Sequence, residues 1–557
     1  MPYPIKYIEN NLVWNIEGEC FAYYELIPFN YSFLSLEQKD VVHDAFRQLI
    51  AQNRDGKIHA LQISTESSIR AAQERSKKSV TGRLKEITYA EIDEQTENLV
   101  AALGDTQVDY RFFLGFKLVV TDKELSVKDV GKQVKNVLSD AMNAISSSFM
   151  GDFVSMPNDE IRRYSRMEKL MENKLSRRFK VRRLNKNDFG YLLEHIYGRT
   201  GTAYEDFEFT LPLKKRKSDT LVKRYDLIKP ARCLIEEKQR YLHMKSEDSE
   251  SYVAYFTISD VVGELDFPSS EIFYYQEQQF DFAIDTSMNV EIITNKAALH
   301  TVRNKKKELK DLGNHAWENN SETTNQVAEA LDSVDELESV LDQSKESMYK
   351  LSYVVRVTAP DVEELKRRCN QVRDFYDDAS IKLVRPIGDM MGLHNEFIPA
   401  SKRYMNDYVQ YVTSDFLAGL GFGATQMLGE RDGIYLGYNV DTDQNVYVQP
   451  ARAAQGVKGS VTNALSGAFL GSLGGGKSLS FNLLTYYAVL NGAQALILDP
   501  KSERGLWKEK LPEIADEINI VNLTSDEENK GMLDPYIIMR KTKDAESLAL
   551  DVLTFLT

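Results

Sequence analysis

The chain has 557 residues, of which 42% are hydrophobic and 27% are charged, and its formal net charge is −15. This length exceeds one ordinary core, so we expect two to four domains, and the acidic balance argues against a protein whose whole surface binds nucleic acid. No stretch approaches 18 uninterrupted apolar residues and residues 1–6 contain no apolar core of a signal peptide, so the sequence predicts neither a membrane span nor a secretory signal.

The N-terminal part alternates strand and helix patterns without a detectable repeat. A β-hairpin is predicted over residues 13–26, with its turn at Gly18. The elements predicted after it are a helix over 36–52, a strand over 57–64, a long polar helix over 66–103, a strand over 110–120 and a helix over 127–150.

Two basic clusters interrupt this otherwise acidic chain. Between residues 162 and 186 the basic side chains outnumber the acids Glu168 and Glu172, and residues 214–217 form a second cluster. Such runs either meet the phosphates of anionic lipid or DNA, or are solvated faces of a helix and a loop, and the second interpretation is the commoner one. The basic residues of the first cluster are Arg162, Arg163, Arg166, Lys169, Lys174, Arg177, Arg178, Lys180, Arg182, Arg183 and Lys186.

A second α+β unit is predicted from strands over 252–262 and 280–294, a helical hairpin over 296–351 with its loop at 313–321, a strand over 353–357, a helix over 361–378 and a strand over 381–383. The second arm of the hairpin carries an apolar stripe. Two heptads are too few for an independent coiled coil, so packing on the neighbouring sheet is favoured over an oligomer seam. The stripe consists of Val327, Leu331, Val334, Val340 and Leu341.

Cysteine and histidine give little support for a metal site. The cysteines Cys20, Cys233 and Cys369 are far apart and form no CxxC, which fits a reducing compartment and argues against structural zinc. No two of the seven histidines are four residues apart, and no Ser/His/Asp or Cys/His arrangement is recognisable. Chemistry must therefore come from another motif.

Two glycine-rich runs follow, and only the second predicts a ligand site. Residues 419–423 lack a preceding apolar strand and the spacing of a dinucleotide fingerprint, so they indicate a tight turn. Residues 471–478 read Gly-Ser-Leu-Gly-Gly-Gly-Lys-Ser, which is a complete P-loop. A short apolar strand is expected before it, over 468–470, and a helix after it, over 479–490.

The P-loop pattern has a clear chemical purpose. The glycines at 474, 475 and 476 allow backbone N–H groups to converge on phosphate at a helix N-terminus, and Gly471 begins the loop. Lys477 is predicted to stabilise the charge of the β- and γ-phosphates, Ser478 to hold Mg²⁺, and Leu479 to complete the cofactor-binding set. The expected cofactors are therefore ATP and Mg²⁺.

Beyond the P-loop the sequence predicts more of a doubly wound α/β domain. Strands are expected over 493–498 and 518–523, and helices over 504–514 and 545–556. Asp499 ends the first of these strands. It either ligates the metal or caps the turn that follows at Pro500, and turn chemistry favours the cap.

The segments around these motifs resemble the VirB/TrbE/CagE family of conjugation ATPases, which power type IV secretion. The resemblance is carried by residues 433–437, 445–448, 468–478 (AFLGSLGGGKS) and 495–503 (ALILDPKSE). Within this family, the sequence is most similar to the branch found on Gram-positive conjugative plasmids and transposons. Residues 1–400 resemble the N-terminal domain of that family only in the order of their elements.

The resemblance implies a cytoplasmic ATPase at the inner face of the cell membrane that forms hexamers, binds membrane components of the conjugation channel and meets DNA through those partners. The implied fold is an α+β N-terminal region followed by the first part of an α/β RecA-like P-loop domain. We expect boundaries at 1–225, 226–400 and 401–557. The resemblance assigns Gly471, Gly474–Gly476, Lys477 and Ser478 to phosphate and Mg²⁺, and it weakens the metal interpretation of Asp499.

The family's Walker B aspartate, catalytic glutamate and arginine finger would follow the last residue of this sequence. We therefore expect a truncated chain that binds nucleotide and hydrolyses it slowly. Two other functions remain open at this point. One is a DNA translocase related to the FtsK/HerA group, and the other is a scaffold that binds nucleotide without hydrolysing it.

Overall fold

The computed structural model describes residues 3–53, 56–104, 106–119, 158–198, 204, 207–209, 221–223, 233–246, 249–261, 267–318, 324–442, 444–452, 454, 466–522, 531 and 534–556. The chain divides into two compact units. Unit 1 comprises Met1–Ser76 and Gln95–Gly467. Unit 2 comprises Lys77–Glu94 and Ala468–Thr557.

Unit 1 is built on a 14-stranded sheet whose paired neighbours are all antiparallel. The order is β8-β1-β2-β3-β6-β5-β12-β13-β11-β10-β9, with β14 paired to β11, β15 to β13 and β7 to β3. These strands are β1 Ile5–Glu9, β2 Leu12–Asn15, β3 Cys20–Leu26, β5 Lys57–Ser68, β6 Thr106–Lys117, β7 Val181–Arg183, β8 Leu221–Lys223, β9 Leu234–Glu237, β10 Leu242–Lys245, β11 Glu250–Val261, β12 Ile284–Ile293, β13 Met348–Ala359, β14 Ile381–Val384 and β15 Val409–Val412.

Among the described residues, four short strands lie outside this sheet. The pair β4 and β16 is parallel, whereas β17 and β18 form an antiparallel hairpin. Their bounds are β4 Phe29–Asn30, β16 Ala424–Thr425, β17 Ile434–Asn439 and β18 Gln444–Val448.

Helices cover both faces of the large sheet. Successive residues of β3 show this, because Ala22 and Tyr24 belong to one buried cluster while Phe21 and Tyr23 belong to another. The helices are α1 Leu36–Ala51, α2 Ile69–Ser79, α3 Lys85–Leu103, α4 Asn158–Ser176, α5 Lys186–Gly198, α6 Ile272–Gln279, α7 Asn295–Glu318, α8 Thr324–Ser344, α9 Val362–Asp378, α10 Met390–Asn395 and α11 Ser414–Gly419. The segment Lys77–Glu94 places the end of α2 and the first half of α3 in unit 2.

Most elements predicted for unit 1 are present, including the hairpin at Gly18 and the turn at 419–423. Two helix boundaries were predicted wrongly. The helix expected over 66–103 is broken between α2 and α3, where Gly82 adopts φ +90°. Helix α7 extends past Gly313 to Glu318, into the loop predicted over 313–321, because an interior glycine costs a helix only about 1 kcal/mol. The helix predicted over 127–150 lies outside the described residues, as do residues 214–217.

The apolar stripe of α8 contributes to a small buried cluster. Leu341 packs there with Ala298 and Val302 of α7 and with Met348 of β13, while Val334 is partly buried against them. Val340, in contrast, is 43% exposed. The helical hairpin therefore packs on itself and on the start of β13, in partial agreement with the predicted packing on a sheet.

The described residues of unit 2 contain four further helices and a 3₁₀ segment. The strands predicted over 468–470, 493–498 and 518–523 are absent from its described residues, because their backbones make no ladder hydrogen bonds there. The helix predicted over 504–514 is broken at Pro512, which lacks an N–H and disfavours helix in the preceding residue. The elements are α12 Lys477–Leu490, α13 Trp507–Lys510, the 3₁₀ segment Pro512–Glu517, α14 Pro535–Ile538 and α15 Thr542–Leu556.

Candidate functional site

The P-loop runs directly into the first turn of α12. Gly474 and Gly476 adopt φ values of +78° and +79°, a region that side chains rarely enter. Gly476 is the N-cap residue of α12 and offers no side chain to bind the first-turn amides. An anion can therefore approach these amides along the positive end of the helix dipole.

Lys477 folds back over the loop. Its Nζ atom donates a hydrogen bond to the carbonyl oxygen of Ser472 at 2.6 Å, and Gly475 N–H donates to the same oxygen at 3.1 Å. A Cβ atom at Gly471 would lie 3.3 Å from Lys477 Cγ, so the missing side chain gives the lysine room. The ammonium group is thus held near the loop by a neutral acceptor.

Ser478 and Leu479 complete the first turn of α12. The first helical hydrogen bond is donated by Ser480 N–H to Gly476, so the N–H groups of Lys477, Ser478 and Leu479 precede the helical ladder. The Ser478 hydroxyl is exposed, and the Leu479 side chain is 64% exposed. The backbone N–H of Leu479 is therefore one of the three first-turn amides that could bind a nucleotide.

Asp499 makes the contacts of a turn cap. One carboxylate oxygen accepts a hydrogen bond from Arg504 N–H at 2.8 Å, and the other lies 3.3 Å from the Arg504 guanidinium. Arg504 also donates to the side chain of Asn482 on α12 at 3.0 Å. These contacts favour the turn interpretation, and the role of Asp499 in metal binding stays a prediction.

Unit 2 also includes a segment that sequence reasoning assigned to the N-terminal region alone. The Thr88 hydroxyl, which is buried on α3, donates to the carbonyl oxygen of Leu490 at 2.7 Å. Leu490 ends α12, so this carbonyl has no helical partner of its own. The hydroxyl's single hydrogen is shared with Leu84 O at 2.9 Å. In the sequence, Gly82 is the one signal that could have indicated that this segment belongs with unit 2.

The described residues contain no group of three or more histidine, cysteine or acidic side chains arranged to hold a metal ion. Within the same residues, no helix has both the length and the apolar character to cross a membrane.

Comparison with known proteins identifies the C-terminal part of the chain. Residues 444–557 match the family model of an AAA-like domain. The chain is also similar to an uncharacterized protein of Bacillus subtilis (strain 168), YddE. The two are 20% identical over 580 residues, which cover 98% of this chain and 67% of the relative.

Geometry and family match agree on a coarse assignment. The P-loop belongs to an AAA-like domain, and such a domain indicates a P-loop ATPase and a nucleotide-binding motor. The fold is mixed α/β with a large antiparallel sheet. Gly474 and Gly476 have the positive φ values that the P-loop pattern predicts, and the roles of the individual binding residues stay predictions.

Proposed function

We propose that the protein is the ATP-binding motor of a conjugative type IV secretion system, related to the VirB/TrbE/CagE family. In this role it works at the inner face of the cell membrane as a homo-oligomer, a hexamer by resemblance. ATP hydrolysis is coupled to channel assembly or to the passage of DNA or protein, and the P-loop domain is RecA-like. Its partners are membrane components of the channel, and DNA reaches it through them.

The observation that carries the nucleotide part of this proposal is the conformation of the P-loop. Lys477 is aimed at the loop and donates to a neutral carbonyl, while the two positive-φ glycines leave open space where Cβ atoms would stand. A bound phosphate offers the lysine a charged acceptor, which makes a stronger hydrogen bond than a carbonyl. The structure therefore fits a triphosphate.

The same residues fit a magnesium nucleotide. The Ser478 hydroxyl stands at the first turn of α12, where it would ligate Mg²⁺, and the amides of Lys477, Ser478 and Leu479 would hold phosphate oxygens. When bound, Mg²⁺ supplies positive charge that offsets the charge of the phosphates. Lys477 adds a second positive charge at the loop and would orient the phosphate chain of the nucleotide.

Nucleotide binding and hydrolysis test this proposal directly. The Lys477→Ala variant should bind MgATP at least about tenfold more weakly, because it lacks one charge-assisted hydrogen bond, and should lose any ATPase activity. Lys508→Ala is the matched control, since Lys508 is an exposed lysine of unit 2 and its removal changes the net charge equally. Equal MgATP affinity for the two variants would contradict the proposed site.

The secretion role needs a test in cells that carry the parent mobile element. Replacement of the gene by the Lys477→Ala form should abolish DNA transfer, whereas Lys508→Ala should leave it unchanged. Unchanged DNA transfer in cells with the Lys477→Ala form would contradict a motor role and support the role of a scaffold. ATP hydrolysis stimulated by double-stranded DNA in the purified protein would instead identify a DNA translocase of the FtsK/HerA type.

A further inference from the structure

A cavity in unit 1 lies beside the basic segment and is separate from the P-loop. Its volume is about 690 Å³, within the range of small-molecule sites. It lies among the β1–β2 turn, α4, β7 and the start of α5. The lining residues are Asn10, Asn11, Leu12, Ser165, Glu168, Lys169, Arg183, Leu184, Asn185 and Lys186.

The one carboxylate in this lining is already neutralised. Glu168 is 5% exposed, and its two oxygens lie 2.8 and 2.9 Å from the guanidinium nitrogens of Arg183. Asn11 and Tyr24 also donate to it, at 3.1 and 2.9 Å. Glu168 therefore has its acceptor capacity largely used within the fold, and Arg183 is fixed as part of the cavity wall.

The two lysines of the lining, unlike Arg183, are not paired with a carboxylate of the described residues. Lys169 and Lys186 are both exposed, and neither forms an ion pair with a carboxylate anywhere in the described part of the chain. They come from different elements, Lys169 from α4 and Lys186 from the first position of α5. The cavity thus has an excess of positive charge in a chain whose net charge is −15.

The exposed charged side chains described on α4 have the same sign. The exposed face of α4 carries Arg162 and Arg163 in addition to Lys169, together with Leu170, which is 60% exposed. Charges of one sign along one face raise the local concentration of counter-ions and direct them toward the cavity. A neutral or cationic ligand gains nothing from this arrangement.

We propose that this cavity binds a phosphate-bearing ligand, whose oxygens are contacted by Lys169 from α4 and by Lys186 from the start of α5. The amide side chains of Asn10 and Asn185 supply uncharged hydrogen-bonding groups to the rest of the ligand. The phosphate comes either from a soluble compound or from a lipid headgroup, since both present the same anion. This site is independent of nucleotide binding at Lys477 and of the secretion role.

The test separates this cavity from the P-loop by using the full chain with Lys477→Ala in every sample and no ATP. Inorganic phosphate is the soluble probe, followed by titration calorimetry. Vesicles of equal parts phosphatidylglycerol and phosphatidylcholine are the lipid probe, followed by co-sedimentation, with pure phosphatidylcholine vesicles as the uncharged reference.

The variant K169A/K186A should bind the probe that the parent binds at least about tenfold more weakly, because two charge-assisted contacts are lost. Its matched control is K307A/K310A, which removes two exposed lysines of α7 and should bind like the parent. Thermal unfolding followed by circular dichroism checks that both variants fold.

The two probes also identify the source. Lysine-dependent binding of phosphate alone indicates a soluble ligand, and lysine-dependent sedimentation with the anionic vesicles indicates a headgroup. The proposal is overturned if the parent binds neither probe, or if K169A/K186A and K307A/K310A bind equally.

Discussion

Glu277 on α6 is a carboxylic acid in an almost fully buried position, 8% exposed. Burial raises the pKa of this carboxyl to about 8, and the neighbouring charge of Asp109 adds to the rise, although a hydrogen bond from Gln426 N–H at 2.6 Å opposes it. At neutral pH the folded protein therefore keeps this carboxyl protonated, whereas the unfolded chain releases the proton above its ordinary pKa of 4.5.

This difference predicts how stability depends on pH. Between about pH 4.5 and 8 the native state binds more protons at Glu277 than the unfolded state, so rising pH lowers stability across that window. Glu277→Gln removes the effect and keeps an oxygen that accepts from Gln426. Its stability advantage over the parent should grow by about 2 to 3 kcal/mol between pH 6 and pH 8.

Urea unfolding at the two pH values measures this change in unfolding free energy. Glu336→Gln, at an exposed position of α8, provides the control and should follow the parent at both. A pH-independent difference between the Glu277→Gln variant and the parent would show that Glu277 is already ionised in the folded protein.

Arg356 on β13 pairs with the buried carboxylate of Asp285. Its guanidinium lies 2.8 Å from Asp285, which also accepts from Ser64 and lies 3.0 Å from His195 Nε2. Arg356→Met leaves the Asp285 charge without its arginine and should cost about 3 to 5 kcal/mol of unfolding free energy, measured by urea unfolding. Arg303→Met, which removes an exposed partner of Glu338, should change stability little. Similar losses in both variants would contradict this argument.

At the scale of elements, local chemistry explains which predictions succeeded. Ser35 is the N-cap residue of helix α1. Its hydroxyl accepts a hydrogen bond from Gln38 N–H at 3.3 Å, and the side-chain oxygen of Gln38 accepts one from Ser35 N–H at 3.0 Å. Helix α9 begins at Asp361, which accepts from two first-turn amides. Such signals lie within four residues of the boundary, so the sequence contains them.

The failed strand predictions depended on contacts that periodicity does not encode. A strand needs a neighbouring backbone, and the apolar pattern at 493–498 contains no information on whether one is present. Leu496 and Leu498 are 90% and 84% exposed in the structure. The P-loop itself was predictable because its glycine positions, rather than a distant partner, determine its conformation.

The contact of Thr88 with the end of α12 is an element-scale feature that can be tested. Thr88→Val keeps the shape and removes the hydroxyl, leaving the Leu490 carbonyl without its donor, so unit 2 should lose about 1 to 2 kcal/mol of stability. Thr88→Ser retains the hydroxyl and should lose less. Thermal unfolding compares the two variants.

MgATP affinity at 25 °C should not change in either Thr88 variant. The P-loop lies at the opposite end of α12, roughly 20 Å from Leu490 for a helix of 14 residues. A Thr88→Val variant that binds MgATP much more weakly than the parent would show that this contact shapes the nucleotide site.

At the scale of the whole molecule, the order in which the strands pair could not be predicted from the sequence. Strand β5 pairs with β12, which lies more than 200 residues further along the chain. Strand β3 pairs with β6, although β5 comes between them in the sequence. Both faces of such a sheet are buried, so every residue of β3 is buried and the strand carries no alternation that would reveal its neighbours. The two predicted N-terminal regions consequently contribute to one continuous sheet.

The division into two units makes a prediction about ligand-linked stability. A ligand that binds only the folded form of one unit stabilises that unit by about 2.7 kcal/mol at a hundredfold excess over its Kd. MgATP should therefore raise the midpoint of the calorimetric transition that belongs to unit 2, which contains the whole P-loop, and leave the transition of unit 1 in place.

Comparison with the Lys477→Ala variant assigns the shift to the P-loop, because this variant should unfold at the same temperatures with and without MgATP. Inorganic phosphate gives the opposite pattern if the unit 1 cavity binds it, since it would then raise the transition of unit 1 in both proteins. A single transition that moves as a whole with MgATP would mean that the two units unfold together, and the nucleotide would then stabilise the sheet as much as the P-loop.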